Sequence, residues 1–516
     1  MKKGLFFSIF ISFIQITLLA QGTVLWENAL GGEEDDWAYS IAEFGDTTYL
    51  IAGMTSSYDG DVTDSLGGID GWVAVLGNNG HILSDFSFGG TSDDRINAMI
   101  QTQDNAYIMA GFSQSSDIDI SNNQGGKDIW IFKLDANLNL LWSYTYGGTS
   151  DDIAYGLTEL PNGNLAIAAT TFSDDGDVAD NNGISDYWLV ILDANGLMQN
   201  SRNFGGTGEE RARGITTAPD GGVSIIGTAF STDGDVSNPL GVVDVWLVKT
   251  DGFGNLEWEK SLGGTKADQG HDIQTTSNGN YILAGEVFSD DGDVIGYHGS
   301  TDAWVVKLDP NGNIIWQNAL GGTSADYVLS VQETEDGGSI AVGTSFSTDG
   351  NVSGNLGSSD VWIIKLDNNG NLLWEIPTGS NLAETADASL PLGNETIIIG
   401  GTQISHLRTT QEGEAVMHGN TDVYAAKLNT PLTNIIPIQN HIDIKIFPNP
   451  SMDFLQIQAA EKIISYQIFT SDGQLISSFV NSDEMIEVNM IHWISGVYHI
   501  TLQGREQIYS AKVTKL

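Results

Sequence analysis

The chain has 516 residues, 62 glycines, ten prolines and no cysteine, with 41 % hydrophobic residues, so it is a turn-rich globular protein rather than a disordered one. Its 67 carboxylates against 20 cations give a formal charge of -47, which argues against a nucleic-acid partner, since phosphate binding needs a basic face. It fits solubility, cation binding or basic partners.

The chain opens with Lys2 and Lys3 and an apolar run from Leu5 to Leu19 that ends at Ala20. This is the pattern of a secretory signal peptide over residues 1–20, too short for a spanning helix. Cleavage after Ala20 would leave Gln21 first. No other stretch is apolar enough to span a membrane, so the mature chain is expected to lack a transmembrane segment. An exported protein without disulfides must be held by its core.

Beyond the leader the sequence repeats. Gly-Gly pairs start at 31, 89, 147, 205, 263 and 321, each 58 residues after the last, and Gly379-Ser380 stands at the next step. An Asp-x-aromatic marker keeps the same step from Asp70/Trp72 to Asp360/Trp362, then reaches Asp422/Tyr424 after 62 residues. Eleven of the 13 tryptophans occupy two repeat positions, which marks them as packing residues. Each copy contains four short runs of strand character. In the third they are YGLTELP, NLAIAAT, DYWLVILD and LMQNSRNFG, with turn signals such as Asn278-Gly279 and Asn311-Gly312 in other copies. Four strands per repeat, seven times, predict an all-β, seven-bladed β-propeller over residues 21–429. VLWENALGG at the start is a fourth strand without a first three, and the seventh copy ends at YAAKLN without a fourth. Residues 24–30 are therefore expected to pair with 422–428 and close the ring.

In a four-stranded meander a-b-c-d, the b-c loops and the d-a connections lie on one face. The b-c loops carry FSDDGDV at 172 and 288, FSTDGDV at 230 and FSTDGNV at 346. The d-a connections carry an acid in every copy: Asp36, Asp94, Asp152, Glu210, Asp268, Asp326 and Glu384. Paired carboxylates on a loop supply hard oxygen ligands for Ca²⁺, which makes Asp59, Asp61, Asp175, Asp177, Asp233, Asp235, Asp291 and Asp293 candidate metal ligands. The competing reading is that Asp caps turns and Gly supplies positive φ; no cofactor is required by any motif.

The positions that refuse to repeat are more informative. Strand a starts on the acidic-loop face around a small apolar residue, and its flanks vary from copy to copy. They supply Trp37, Tyr39, Arg95, Tyr155, Arg211, Arg213, His271 and Tyr327, a set expected at the channel mouth. Aromatics stack on apolar sugar or side-chain faces and cations bond carboxylates or hydroxyls, so a glycan or protein ligand is expected there. No Cys nucleophile, G-x-S-x-G elbow, H-E-x-x-H helix, P-loop or dinucleotide fingerprint occurs. No catalytic residue stands out, and binding is favoured over catalysis. The alternatives are a polysaccharide hydrolase or lyase at the same mouth, and a structural surface protein.

After about residue 430 the period stops. PLTNIIPIQNHID reads as a linker over 430–442, and residues 443–516 carry Pro448-Asn449-Pro450, the Asp472-Gly473 turn, Gly496-Val497-Tyr498 and a basic finish from Lys512 to Lys515. Short alternating strands with turns predict a small β-sandwich. In this order at a chain end, the features resemble the C-terminal sorting domain of cargo for the type IX secretion system of gliding bacteria. The 58-residue units are also similar to propeller repeats common in such cargo. The resemblance implies export from the periplasm through the outer membrane by that machinery, removal of the tail, and a secreted or cell-surface protein.

Overall fold

The computed structural model describes residues 23–430 apart from 180, 404–407, 410–414 and 417–420, and strand segments and a few neighbouring residues within 445–515. The expected signal peptide and linker lie outside the described residues. The chain divides after Thr433 into two compact units.

The first unit is a propeller of seven antiparallel sheets. The first blade has strands Asp36–Glu43, Tyr49–Thr55, Asp70–Leu76 and Ile82–Phe88, paired in chain order. Five further blades repeat this order at the 58-residue step. The seventh combines Ala383–Glu384, Ala388–Leu392, Glu395–Gln403 and Thr421–Asn429 with Thr23–Leu30 from the other end of the chain. Val24 pairs with Leu428 and Leu30 with Val423, so the expected ring closure is present. Leu30 is fully buried against Val423 and Ile397 in the core shared by the seventh and first blades.

The b and c strands are buried almost throughout, as strands covered on both sides must be. Trp72, Trp130, Trp188, Trp246, Trp304 and Trp362 lie between blades with at most 1 % of their surface exposed. A buried indole needs an acceptor. In five of the blades it finds one thirteen residues on, in strand d: Asp85, Ser143, Glu259, Gln317 and Glu375.

The a strands surround the axis and bond directly to one another from blade to blade. Ser40 donates to Met99 O, Asn97 to Ala154 O and Gln274 to Gln332, while Val331 N donates to Asp272. Each a strand of the first six blades also carries a β-bulge, at Tyr39, Asn97, Tyr155, Arg213, His271 and Leu329. A bulge sharpens the local twist and re-aims side chains.

The second unit holds two antiparallel sheets. One joins Lys445–Phe447, Phe454–Gln458 and Met485–Asn489; the other joins Ser465–Thr470, Leu475–Val480, Gly496–Gln503 and Ile508–Lys515. Each contributes a buried apolar side chain, Val488 from the first and Ile468 from the second, as a two-sheet core requires.

Candidate functional site

The acidic-loop face is built by one hydrogen-bonded clip, repeated around the ring. In the first blade Asp36 accepts from Gly32 N at 2.7 Å, from Ser57 Oγ at 2.8 Å and from Thr55 Oγ1. The equivalent acids do the same: Gly90 N to Asp94 at 2.7 Å, Gly148 N to Asp152 at 2.8 Å, Gly206 N to Glu210 at 2.9 Å, Gly264 N to Asp268 at 2.7 Å, Gly322 N to Asp326 at 2.8 Å. These acids are fully buried. They start strand a and tie the incoming Gly-Gly to the end of strand b.

The b-c loop completes the clip. Asp59, Asp175, Asp233 and Asp291 accept from the backbone N of Glu33, Thr149, Thr207 and Thr265 at 2.7–2.8 Å. Asp61, Asp177, Asp235 and Asp293 reach Gly31, Gly147, Gly205 and Gly263 N at 3.3–3.4 Å. Asn351 takes the same place with its amide oxygen on Gly321 N at 3.2 Å, so the charge is dispensable to the contact. Gly60, Gly176, Gly234, Gly292 and Gly350 hold φ of 66–69° between them, and a Cβ there would fall 2.2–2.5 Å from the carbonyl oxygen of the Gly-Gly pair. Only glycine fits. Among the described residues no group of three or more His, Asp or Glu side chains is arranged to hold a metal ion.

The non-repeating residues flank the start of strand a, beside this clip. Trp37 and Tyr39 stack with centroids 6.0 Å apart and planes 14° from parallel, so the bulge keeps both flanks together. The Arg95 guanidinium lies over the Tyr39 ring at 3.9 Å, and Trp37 Nε1 donates to Asp387 Oδ2 at 2.9 Å. Blades seven, one and two are thereby joined in one cluster. Arg95 Nε is buried without a hydrogen-bond partner. Farther round, Arg213 lies over Tyr155 at 4.5 Å, and Tyr327 meets Phe346 with centroids 6.4 Å apart. Arg211 is exposed and bonded to Glu209.

Two carboxyls near these residues hold their protons unusually well. Burial raises Asp387 to about 6, against the opposing pull of the Trp37 hydrogen bond and the Arg95 charge. Burial alone raises Glu286 to about 7. Its neighbour His271, 4.0 Å away, is pushed down to about 3 by burial and by the Arg213 charge, so the imidazole is neutral and the contact is not an ion pair.

Of the eight expected channel residues, the structure joins Trp37, Tyr39 and Arg95 in one group and Tyr155 with Arg213 in another, with His271 beside Glu286. Glu286 was not singled out from the sequence because it lies on strand b. Its register position holds Met54, Phe112, Thr170, Thr228, Thr344 and Gly401 in the other blades, so a lone carboxylate there was the available signal.

The chain is thus a β-propeller followed by a two-sheet tail. Residues 445–515 match the family described as "Secretion system C-terminal sorting domain". The protein is type IX secretion cargo, delivered to the cell surface or the extracellular space, and its tail engages that machinery. No helix among the described residues is long and apolar enough to cross a membrane. Among curated proteins none matches the sequence. Similar solved structures include a protein of unknown function from Bacteroides caccae, at 12 % identity and TM-score 0.37, over 64 % of this chain and 94 % of that one. PorZ of Porphyromonas gingivalis, a bacterial surface component of the type IX secretion system, is similar at 12 % identity and TM-score 0.41, over 94 % of this chain and 60 % of that one. The Pan2 WD40 domain of Neurospora crassa is similar at 11 % identity and TM-score 0.40, over 77 % and 95 %.

Proposed function

We propose that this secreted propeller is a binding protein that takes a glycan or protein ligand at the acidic-loop mouth of its channel. One observation carries the reading. The residues that depart from the repeat form groups of stacked aromatics, stacked guanidinium groups and carboxyls at the start of strand a, and Arg95 Nε is left as a buried donor without an acceptor. A buried unsatisfied donor costs roughly 1–3 kcal/mol, which a ligand oxygen would recover. Glycan and peptide arrays probed with the wild type and with the combined Trp37→Ala, Arg95→Ala, Arg213→Ala variant test it. Binding should be lost in the variant with the melt preserved; retained binding refutes the site.

A second reading, a polysaccharide hydrolase or lyase at the same mouth, draws on Glu286, whose carboxyl near 7 is poised to give or take a proton at neutral pH. It predicts new reducing ends or unsaturated products from an acidic polysaccharide, abolished by Glu286→Gln.

A further inference from the structure

Phe172, Phe230, Phe288 and Phe346 open the b-c loops of four consecutive blades, three to six. Their backbone N–H groups donate to the carbonyls of Asp151, Glu209, Ala267 and Ala325, just before the start of each strand a, at 2.9–3.1 Å. That bond holds all four beside the start of strand a, and Phe346 there meets Tyr327. Folding does not bury them: Phe172 is 36 %, Phe230 42 % and Phe346 41 % exposed, with Phe288 half-buried. Ile184 and Val242, whose backbone N–H groups bond to Gly208 O and Lys266 O at the junctions with the next blades, are 62 % and 72 % exposed. The same bond is made by Ser56 in the first blade and Gln114 in the second, at 2.8 and 2.9 Å, so the clip does not need an aromatic ring.

The arc lies among acids. Asp174, Asp175, Asp233, Asp290, Asp291 and Asp349 are exposed on these four loops. The nearby cations are already engaged, Lys266 with Asp290 at 2.8 Å and Arg211 with Glu209 at 2.5 Å. Exposed apolar groups repeated on the same face of adjacent blades mark an interaction surface. Aliphatic tips such as Ile184 and Val242 offer no ring face for a sugar to stack on, but they pack well against protein side chains. The acidic surround then selects for positive charge.

We infer that the rim of blades three to six docks a cationic protein segment carrying apolar side chains, the apolar groups on the phenylalanine arc and the cations on the b-c loop carboxylates. This rests on the channel-mouth reading, naming the chemistry of its partner and extending the contact outward.

The test uses the mature full-length chain with a fluorescent twelve-residue peptide of alternating Lys and Leu, its Glu/Leu counterpart, and a neutral gluco-oligosaccharide. Phe172, Phe230, Phe288 and Phe346 are replaced together by Ser, which leaves every charge in place. The Lys/Leu peptide should bind the wild type, the Glu/Leu peptide should not, and the variant should bind at least tenfold more weakly with an unchanged melt. Unchanged affinity in the variant overturns the inference, because charge alone would then explain binding, as does absence of binding to the wild type. Oligosaccharide binding lost in the variant, without peptide binding, also overturns it and makes the arc a glycan surface. Peptide binding lost only in the Trp37/Arg95/Arg213 variant overturns the arc and leaves the channel-mouth reading standing. If the fourfold variant fails to fold, Ile184→Ser with Val242→Ser replaces it, with at least threefold weaker peptide binding expected and unchanged binding refuting the surface.

Discussion

Asp128 is a place where the repeat holds a charge at a cost. The side chain is fully buried at the start of strand c, with Oδ2 accepting from Gln124 N at 2.6 Å and Oδ1 without a partner. Its Oδ1 and Oδ2 of Asp152 converge beside Gly147, where an added Cβ would meet them at 2.5 and 2.8 Å. Burial, then the charges of Asp152 and Asp177, raise its carboxyl from 3.8 to about 6, with the Gln124 bond opposing. A folded-state value above the unfolded one means the native state holds the proton longer, so stability falls as pH rises between the two values. At about 1.4 kcal/mol per unit, the ionised group costs the fold up to about 3 kcal/mol above pH 7. Asp128→Asn keeps an oxygen for Gln124 N, removes the charge and offers Asp152 a donor. Urea denaturation should show a gain of about 1–3 kcal/mol at pH 7.5, falling to about half at pH 5.0, where the wild type recovers part of its proton. A loss of stability at pH 7.5, or an equal gain at both pH values, would refute the electrostatic account.

Removal of residues 23–30 exposes the edge of Thr421–Asn429 and strips Leu30 from its buried site, so the melting temperature should drop sharply, and Leu30→Ala alone should cost about 2–5 kcal/mol. An unchanged melt of the deletion variant would show that the ring does not depend on closure. Calcium coordination by Asp175, Asp177, Asp233, Asp235, Asp291 and Asp293 predicts about 2.7 kcal/mol of stabilisation at a hundred times the dissociation constant. Equal melts in chelator and in added Ca²⁺ would assign those carboxylates to the hydrogen-bonded clip alone.

The propeller was readable because its evidence is periodic. One Trp in each of six blades at a fixed step, with a glycine pair and an acid in register, is satisfied by identical packing in each repeat, and the unmatched strands at the two ends fit each other. The depth of the acids was not readable. Asp36 and Asp94 look in sequence like solvated loop residues. What buries them is a set of donors up to 21 residues away, Ser57 and Ser115, brought close only when strands a and b pair. The bulge at Tyr39 and its counterparts was equally hidden, since simple alternation of side chains was enough to place both flanks on one side. Asp387 was visible as a variable flank, but its burial was not, nor was its hydrogen bond from Trp37, 350 residues away, which opposes the effect of that burial on its proton affinity.

A fold made of equal repeats divides its surface into what the repeat needs and what it leaves free. The clip of buried acid, glycine pair and loop carboxylate recurs because every blade must turn the same corner, and in blade six Asn351 shows that the corner needs an oxygen rather than a charge. The rim beside it carries no such demand: Ser56 and Gln114 stand where four later blades hold phenylalanine, on the same backbone bond. The sorting signal lies in a separate unit, so export places no requirement on the propeller face. An exposed aromatic kept on four adjacent blades, where a serine serves the fold equally well, is therefore a feature for which recognition of a partner gives a physical reason and folding gives none.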